Sequence, residues 1–139
     1  MAKALIADTG PLVALLNRHD QDHAWAVTEL AKIHDPLFIY EAVFAECAYL
    51  LRKIDPGFGQ LSGLVEDQIV TFDFDLKSQF NAVSKMLKKY HDTPMSLADA
   101  CVVRMSELMP DAKVLTVDSD FFHYRKNSRH SIAVIHPRR

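Results

Sequence analysis

Short unbroken apolar runs alternate along this chain with longer stretches in which apolar residues recur at helical spacing. The runs cover 3–7, 37–40, 69–72, 114–117 and 132–135, and each suits a short buried strand. Between them the periodicity predicts helices. The first opens at Thr9-Gly10-Pro11, with the proline in its first turn and Leu12, Val13, Leu15 and Leu16 following. Others are expected over 23–33, 41–53, 58–65, 75–90 and from Ser96 to about Met109, with one or two helical turns over 121–126. Polar or proline-bearing breaks separate them at 17–22, Asp35-Pro36, Asp55-Pro56-Gly57, 91–95 and Pro110-Asp111. Strands alternating with helices predict an α/β fold, with a mainly parallel sheet of about five strands between helical layers. The pattern carries no internal repeat or linker, so one domain over 1–139 is expected.

Composition narrows this only slightly. At 139 residues, with 49% hydrophobic and 24% charged, the chain can bury a full core without disulfides or a structural metal. No apolar run approaches the ~20 residues of a membrane span. The apolar start meets Asp8 too soon for a signal peptide, which makes a cytoplasmic protein, without membrane association, the default expectation. Cys47 and Cys101 each lie inside an apolar helical pattern and are read as buried free thiols. Net charge is −2, no signature of nucleic-acid binding, but its distribution is uneven. From Phe121 onward there is no Asp or Glu, while Arg125, Lys126, Arg129, Arg138 and Arg139 are basic. Such a tail is either a solvated end or a source of phosphate contacts.

The carboxylates carry more chemistry. Asp8 follows the first strand and Asp118 the fourth, which puts both at the strand ends where open parallel sheets bind ligands. Glu46 and Asp99 interrupt helices that are otherwise apolar, where an unpaired charge is expensive to bury. Asp8, Asp118 and Asp120 have an alternative use as helix caps. One acidic pocket would account for Asp8, Glu46, Asp99 and Asp118 together, with Asp120 joining them or capping the next turn. Clustered carboxylates raise one another's pKa values unless a cation intervenes, and oxygen-only ligands favour Mg²⁺ or Mn²⁺ over zinc. Such an ion can orient and activate water and stabilise charge on a phosphoryl oxygen.

The stretch Asp8-Thr9-Gly10-Pro11-Leu12-Val13-Ala14-Leu15-Leu16, Glu46 in Val43-Phe44-Ala45-Glu46, Asp99 in Leu97-Ala98-Asp99-Ala100, and Leu115-Thr116-Val117-Asp118-Ser119-Asp120-Phe121 resemble the PIN-domain ribonucleases. More narrowly, they resemble the VapC-like toxins of bacterial type II toxin–antitoxin pairs, in order and over essentially the whole chain. The resemblance implies an α/β/α sandwich and Mg²⁺-dependent endonucleolytic cleavage of RNA. It makes Asp8 and Asp99 the main metal ligands, with Glu46 and Asp118 binding a second ion or positioning the attacking water. Thr9 and Thr116 would support the cluster through their hydroxyls, and Asp120 ranks below the other acids. Glu41 stands where the family often has a small hydroxyl residue. The same resemblance implies a homodimer and a cognate antitoxin protein as partner. Tyr124, Phe122 and Arg125, near the acids in sequence, are candidates for RNA contact.

Two other classes compete. A PIN-like module that binds RNA or protein without cutting would be expected to lack some of these acids. A metal-assisted phosphatase would want an Asp-x-Asp pair after the first strand, but Gly10 stands two positions after Asp8.

Overall fold

A computed structural model describes residues 4–138. Lys3, at the start of the first expected strand, and Arg139, at the end of the basic tail, lie outside the described residues. In chain order the structure runs β1 (Leu5–Ala7), α1 (Thr9–Leu16), α2 (His23–Ala31), β2 (Leu37–Ile39), α3 (Glu41–Leu50), α4 (Phe58–Glu66) and β3 (Val70–Phe72). It continues through α5 (Leu76–Lys89), α6 (Leu97–Leu108), β4 (Lys113–Leu115), a 3₁₀ turn (Ser119–Phe122), β5 (Arg125–Lys126), β6 (His130–Ser131) and β7 (Val134–Ile135).

Five strands form one parallel sheet in the order β3-β2-β1-β4-β7. The central strand pairs Ile6 with Phe38 on one side and with Val114 on the other. Ile6, Leu37, Ile39, Val114 and Leu115 are fully buried, as strands covered on both faces must be. From β1 the chain steps outward through β2 to β3, then returns past β1 to β4. Right-handed crossovers therefore place α1 to α4 on one face and α5 with α6 on the other. The packing agrees: α1 rests on α2 and α3, α3 on α4, and α5 on α6. The result is an α/β/α arrangement. Helix α6 is buried through Ala100, Cys101, Val102, Val103, Met105 and Ser106, so it reads as apolar nearly all round. Helix α5 instead buries Val83 and Met86 and exposes its lysines. Among the described residues no helix is long and apolar enough to cross a membrane.

Two local expectations change. Helix α3 stops at Leu50 rather than running to 53, and Gly57 then takes a left-handed conformation with φ of 52°. A side chain there would run into the carbonyl oxygens of Ile54 and Leu51. The helical turns expected over 121–126 shrink to the 3₁₀ turn, and Arg125–Lys126 becomes a strand paired antiparallel with His130–Ser131. Asn127 and Ser128, at φ of 53° and 61°, make the primed turn that joins them.

Replacing Ile6 with Ala empties a fully buried position on the central strand. Urea unfolding should register a loss of about 2–5 kcal/mol, the usual range for truncating a core aliphatic residue.

Candidate metal centre

The reversal in strand order falls between β1 and β4, and the carboxylates gather there. Asp8 leaves the end of β1 with its backbone N–H donating to the Leu115 carbonyl at 3.0 Å. That bond fixes the Asp8 backbone to the neighbouring strand. The Thr116 hydroxyl donates to Asp8 Oδ2 at 2.9 Å and accepts from the Asp118 N–H at 3.0 Å. One hydroxyl thus sets both acids. Asp118 Oδ1 in turn accepts the Asp120 N–H at 2.8 Å, capping the 3₁₀ turn.

Asp99 arrives from the other helical layer. Helix α6 begins at Leu97, with Ser96 as its cap, so Asp99 stands in the first turn rather than the helix interior. Ser96 Oγ accepts the Asp99 N–H at 3.0 Å and Asp99 Oδ2 accepts the Ser96 N–H at 3.0 Å, a reciprocal capping box. This corrects the expectation that its own helix leaves Asp99 unexplained: an acid is favourable at that position, beside the positive end of the helix. The carboxylate is half-buried, and it does two things at once.

Asp8, Asp99 and Asp118 each place a carboxylate oxygen within 4.8 Å of the others. Glu46 stands at the border of this group. It is exposed, so no burial cost attaches to it, and its Oε1 accepts the Thr9 hydroxyl at 2.5 Å. Its charge still reaches the site, since it helps to raise the pKa of Asp99. Asp120 is half-buried beside Asp118 and outside the group of three; Glu41 is exposed in the first turn of α3.

Burial dominates the electrostatics. Asp8 is 7% exposed, and desolvation pushes its carboxyl from an ordinary 3.8 to about 6. Hydrogen bonds from the Thr9 backbone and the Thr116 side chain oppose that rise, and the charges of Asp99 and Asp118 add to it. Asp99 is raised by partial desolvation, with Asp118 and Glu46 contributing and Ser96 opposing. The ion pairs found among the described residues, Lys32–Glu29 and Arg104–Glu107, leave these acids without a protein cation. Three oxygen ligands with no cationic side chain against them fit a hard divalent ion. Cys47 and Cys101 are buried free thiols, as expected.

Several neighbours are structural instead. Tyr124 has no exposure, donates its hydroxyl to the Pro94 carbonyl at 2.5 Å, and has its pKa raised by burial and then by Asp99, Asp120 and Asp118. A fully buried ring does not stack on a base. Arg125 gives its Nη1 to the carbonyls of Phe122 and Tyr124 at 2.8 and 3.1 Å, and Phe122 packs against His136 with ring centres 5.2 Å apart. Three supporting residues went unread. Ser96 had a signal, Ser-x-x-Asp ahead of an apolar run. Gly10 lets α1 start against Val117, whose side chain any Cβ would strike. Buried His136 donates from Nε2 to the Val117 carbonyl at 3.0 Å and accepts the Arg138 N–H at Nδ1, 3.1 Å away. Nothing local in the sequence marks that histidine.

A parallel sheet carrying a carboxylate cluster at its switch point defines a class of α/β protein suited to a divalent metal. The chain belongs to the PIN domain family, which matches residues 5–127. PIN domains are generally nucleases, which makes a hydrolase the coarse assignment. A comparison with curated proteins finds no match to the chain.

Because the Asp8 pKa is raised on folding, ionising it opposes the fold. Its favourable contribution is complete below about pH 4 and is lost as pH rises through about 6. With metal chelated, Asp8→Asn should therefore be more stable than the parent at pH 7.5, by up to about 3 kcal/mol for a shift of this size. The two should converge near pH 4, as read by urea midpoints across the range.

Proposed function

We propose that this protein is a divalent-metal-dependent endoribonuclease that hydrolyses RNA phosphodiester bonds, and that it is the toxin of a toxin–antitoxin pair. The observation that carries the enzymatic part is the convergence of Asp8, Asp99 and Asp118 at the switch point of a PIN fold. Asp8 and Asp99 would hold the ion, with Asp118 completing its ligand set, and Mg²⁺ would be the natural occupant with Mn²⁺ as substitute. When bound, the ion supplies charge stabilisation at the phosphoryl oxygens and activation of the attacking water. The chain's own residues do the positioning. Thr116 keeps Asp8 and Asp118 at fixed separation, and the Ser96 box holds Asp99 at one edge. Glu46, which accepts the Thr9 hydroxyl, is assigned the role of taking a proton from the attacking water, while the Asp120 N–H ties its turn to Asp118.

The toxin assignment rests on the resemblance of these motifs to VapC-like proteins, which also brings a cognate antitoxin and a homodimer as partners. Exposed Tyr49, Leu50 and Phe58, around the turn between α3 and α4, support the existence of a protein-binding surface. Cytoplasmic action follows from the same reading.

Purified protein should cut single-stranded RNA with Mg²⁺ or Mn²⁺ and stop on chelation. Asp99→Asn should lower the rate by at least about a hundredfold while far-UV circular dichroism stays unchanged, the scale expected on losing a metal ligand. Undiminished cutting by that variant would remove the metal centre from the mechanism. Expression should arrest growth in the parent but not in Asp99→Asn, and co-expression of a small adjacent gene product should relieve the arrest.

A further inference from the structure

The acid cluster repels the phosphates of its own proposed substrate, so a polyanion needs cationic purchase elsewhere on the surface. Basic residues from three elements that are separate in sequence supply it. Lys85 and Lys89 from α5, Arg104 from α6 and Arg125 from β5 line one pocket of about 270 Å³, together with Tyr90 and a single carboxylate, Glu107. Glu107 is committed: Arg104 Nη1 donates to its Oε1 at 3.0 Å and the Asn127 N–H to its Oε2 at 2.5 Å. Arg104 Nε is engaged as well, donating to Gln79 Oε1 at 2.8 Å. The remaining cations have no carboxylate. Only two ion pairs form among the described residues, and neither includes Lys85, Lys89 or Arg125. Arg125 is pinned by the carbonyls of Phe122 and Tyr124, which fix its guanidinium without neutralising it. A local excess of three positive charges therefore survives on a chain of net charge −2.

The pocket lies one wall away from the acids. Tyr90 accepts the Arg125 N–H on its hydroxyl at 3.1 Å, and its ring meets that of Tyr124 edge-on at 5.4 Å. Tyr124 in turn feels the charge of Asp99 and ties down Pro94, just before the Ser96 cap. Rigid aromatic packing thus spaces a cationic pocket from an anionic centre.

We propose that this pocket, between α5, α6 and the β5–β6 hairpin, holds the phosphate backbone of RNA on one side of the bond being cut. The proposal rests on the ribonuclease reading above. Backbone contacts of this kind carry no base specificity and show themselves in salt dependence: each phosphate contact on a single strand adds about 0.7 to the slope of log affinity against log salt. Lys85 and Lys89 are both exposed, so their replacement leaves the core untouched.

The test measures binding rather than cutting. A labelled, unstructured RNA of about 20 nucleotides is titrated, with chelator present, into the full chain carrying Asp8→Asn. Lys85→Ala with Lys89→Ala, added to that background, should lower the slope by about 1.4 and weaken binding on the order of tenfold. Lys53→Ala with Lys77→Ala changes the net charge equally at exposed positions outside the pocket, and should leave the slope unchanged. An unchanged slope in the pocket variant, or an equal drop in both pairs, overturns the pocket while RNA binding by the parent leaves the ribonuclease reading intact. Polyglutamate displacing RNA at equal charge concentration overturns it in favour of an acidic protein partner. A parent chain that binds no RNA at any salt overturns both.

Discussion

A carboxylate at the end of a central, fully covered strand is the constraint around which the rest of this molecule is arranged. Asp8 loses most of its hydration where β1 ends, and among the described residues no cationic side chain forms an ion pair with it. What makes the position tolerable is a set of neutral donors: the Thr9 backbone N–H, the Thr116 hydroxyl, and a main chain anchored to β4. Neutral donors lower the penalty without cancelling the charge, so the site keeps its appetite for a cation.

Charge in the chain is segregated rather than balanced. The acids converge on the switch point, whereas the unpaired cations of α5 and β5 collect behind the Tyr90–Tyr124 wall. A net charge near zero conceals this polarity, because summation discards position. The two regions are also built differently. Backbone-anchored short side chains hold the acids, while two of the four cations of the pocket sit on long flexible stems. Rigid geometry suits a reacting centre and adaptable reach suits a polymer backbone of variable path.

Much of the fold was legible because buried parallel strands leave an uninterrupted apolar signature, and the five runs reappear as β1, β2, β3, β4 and β7 within a residue or two at each end. Strand order alone put Asp8 and Asp118 at one edge. Reading failed where neighbours in sequence were mistaken for neighbours in space. Glu46 has Ala45 and Cys47 beside it, but on a helix adjacent residues point in different directions; Cys47 is buried and Glu46 is exposed. Asp99 was read as a helix-interior acid although the expected start at Ser96 already put it in the first turn, where the Ser96 cap accounts for it. The β5–β6 hairpin escaped because its strands are two residues long and polar, and its turn depends on Asn127 and Ser128 adopting positive φ. Tyr124 looked available because it follows an acid-rich loop, yet packing against Phe121 and Tyr90 consumes it.

The latch from His136 to the Val117 carbonyl lies beyond residue 127, where the recognisable family segment ends. So does β7, whose flanking carbonyls at Ala133 and Ile135 accept the Val114 and Thr116 N–H groups at 2.8 and 3.1 Å. The loop bearing Asp118 is consequently clamped by residues that contribute nothing to family recognition. Mechanical support of the acids thus extends past the part of the polypeptide that carries the family match. By closing the sheet edge, the segment beyond residue 127 has a hold on the orientation of the acids.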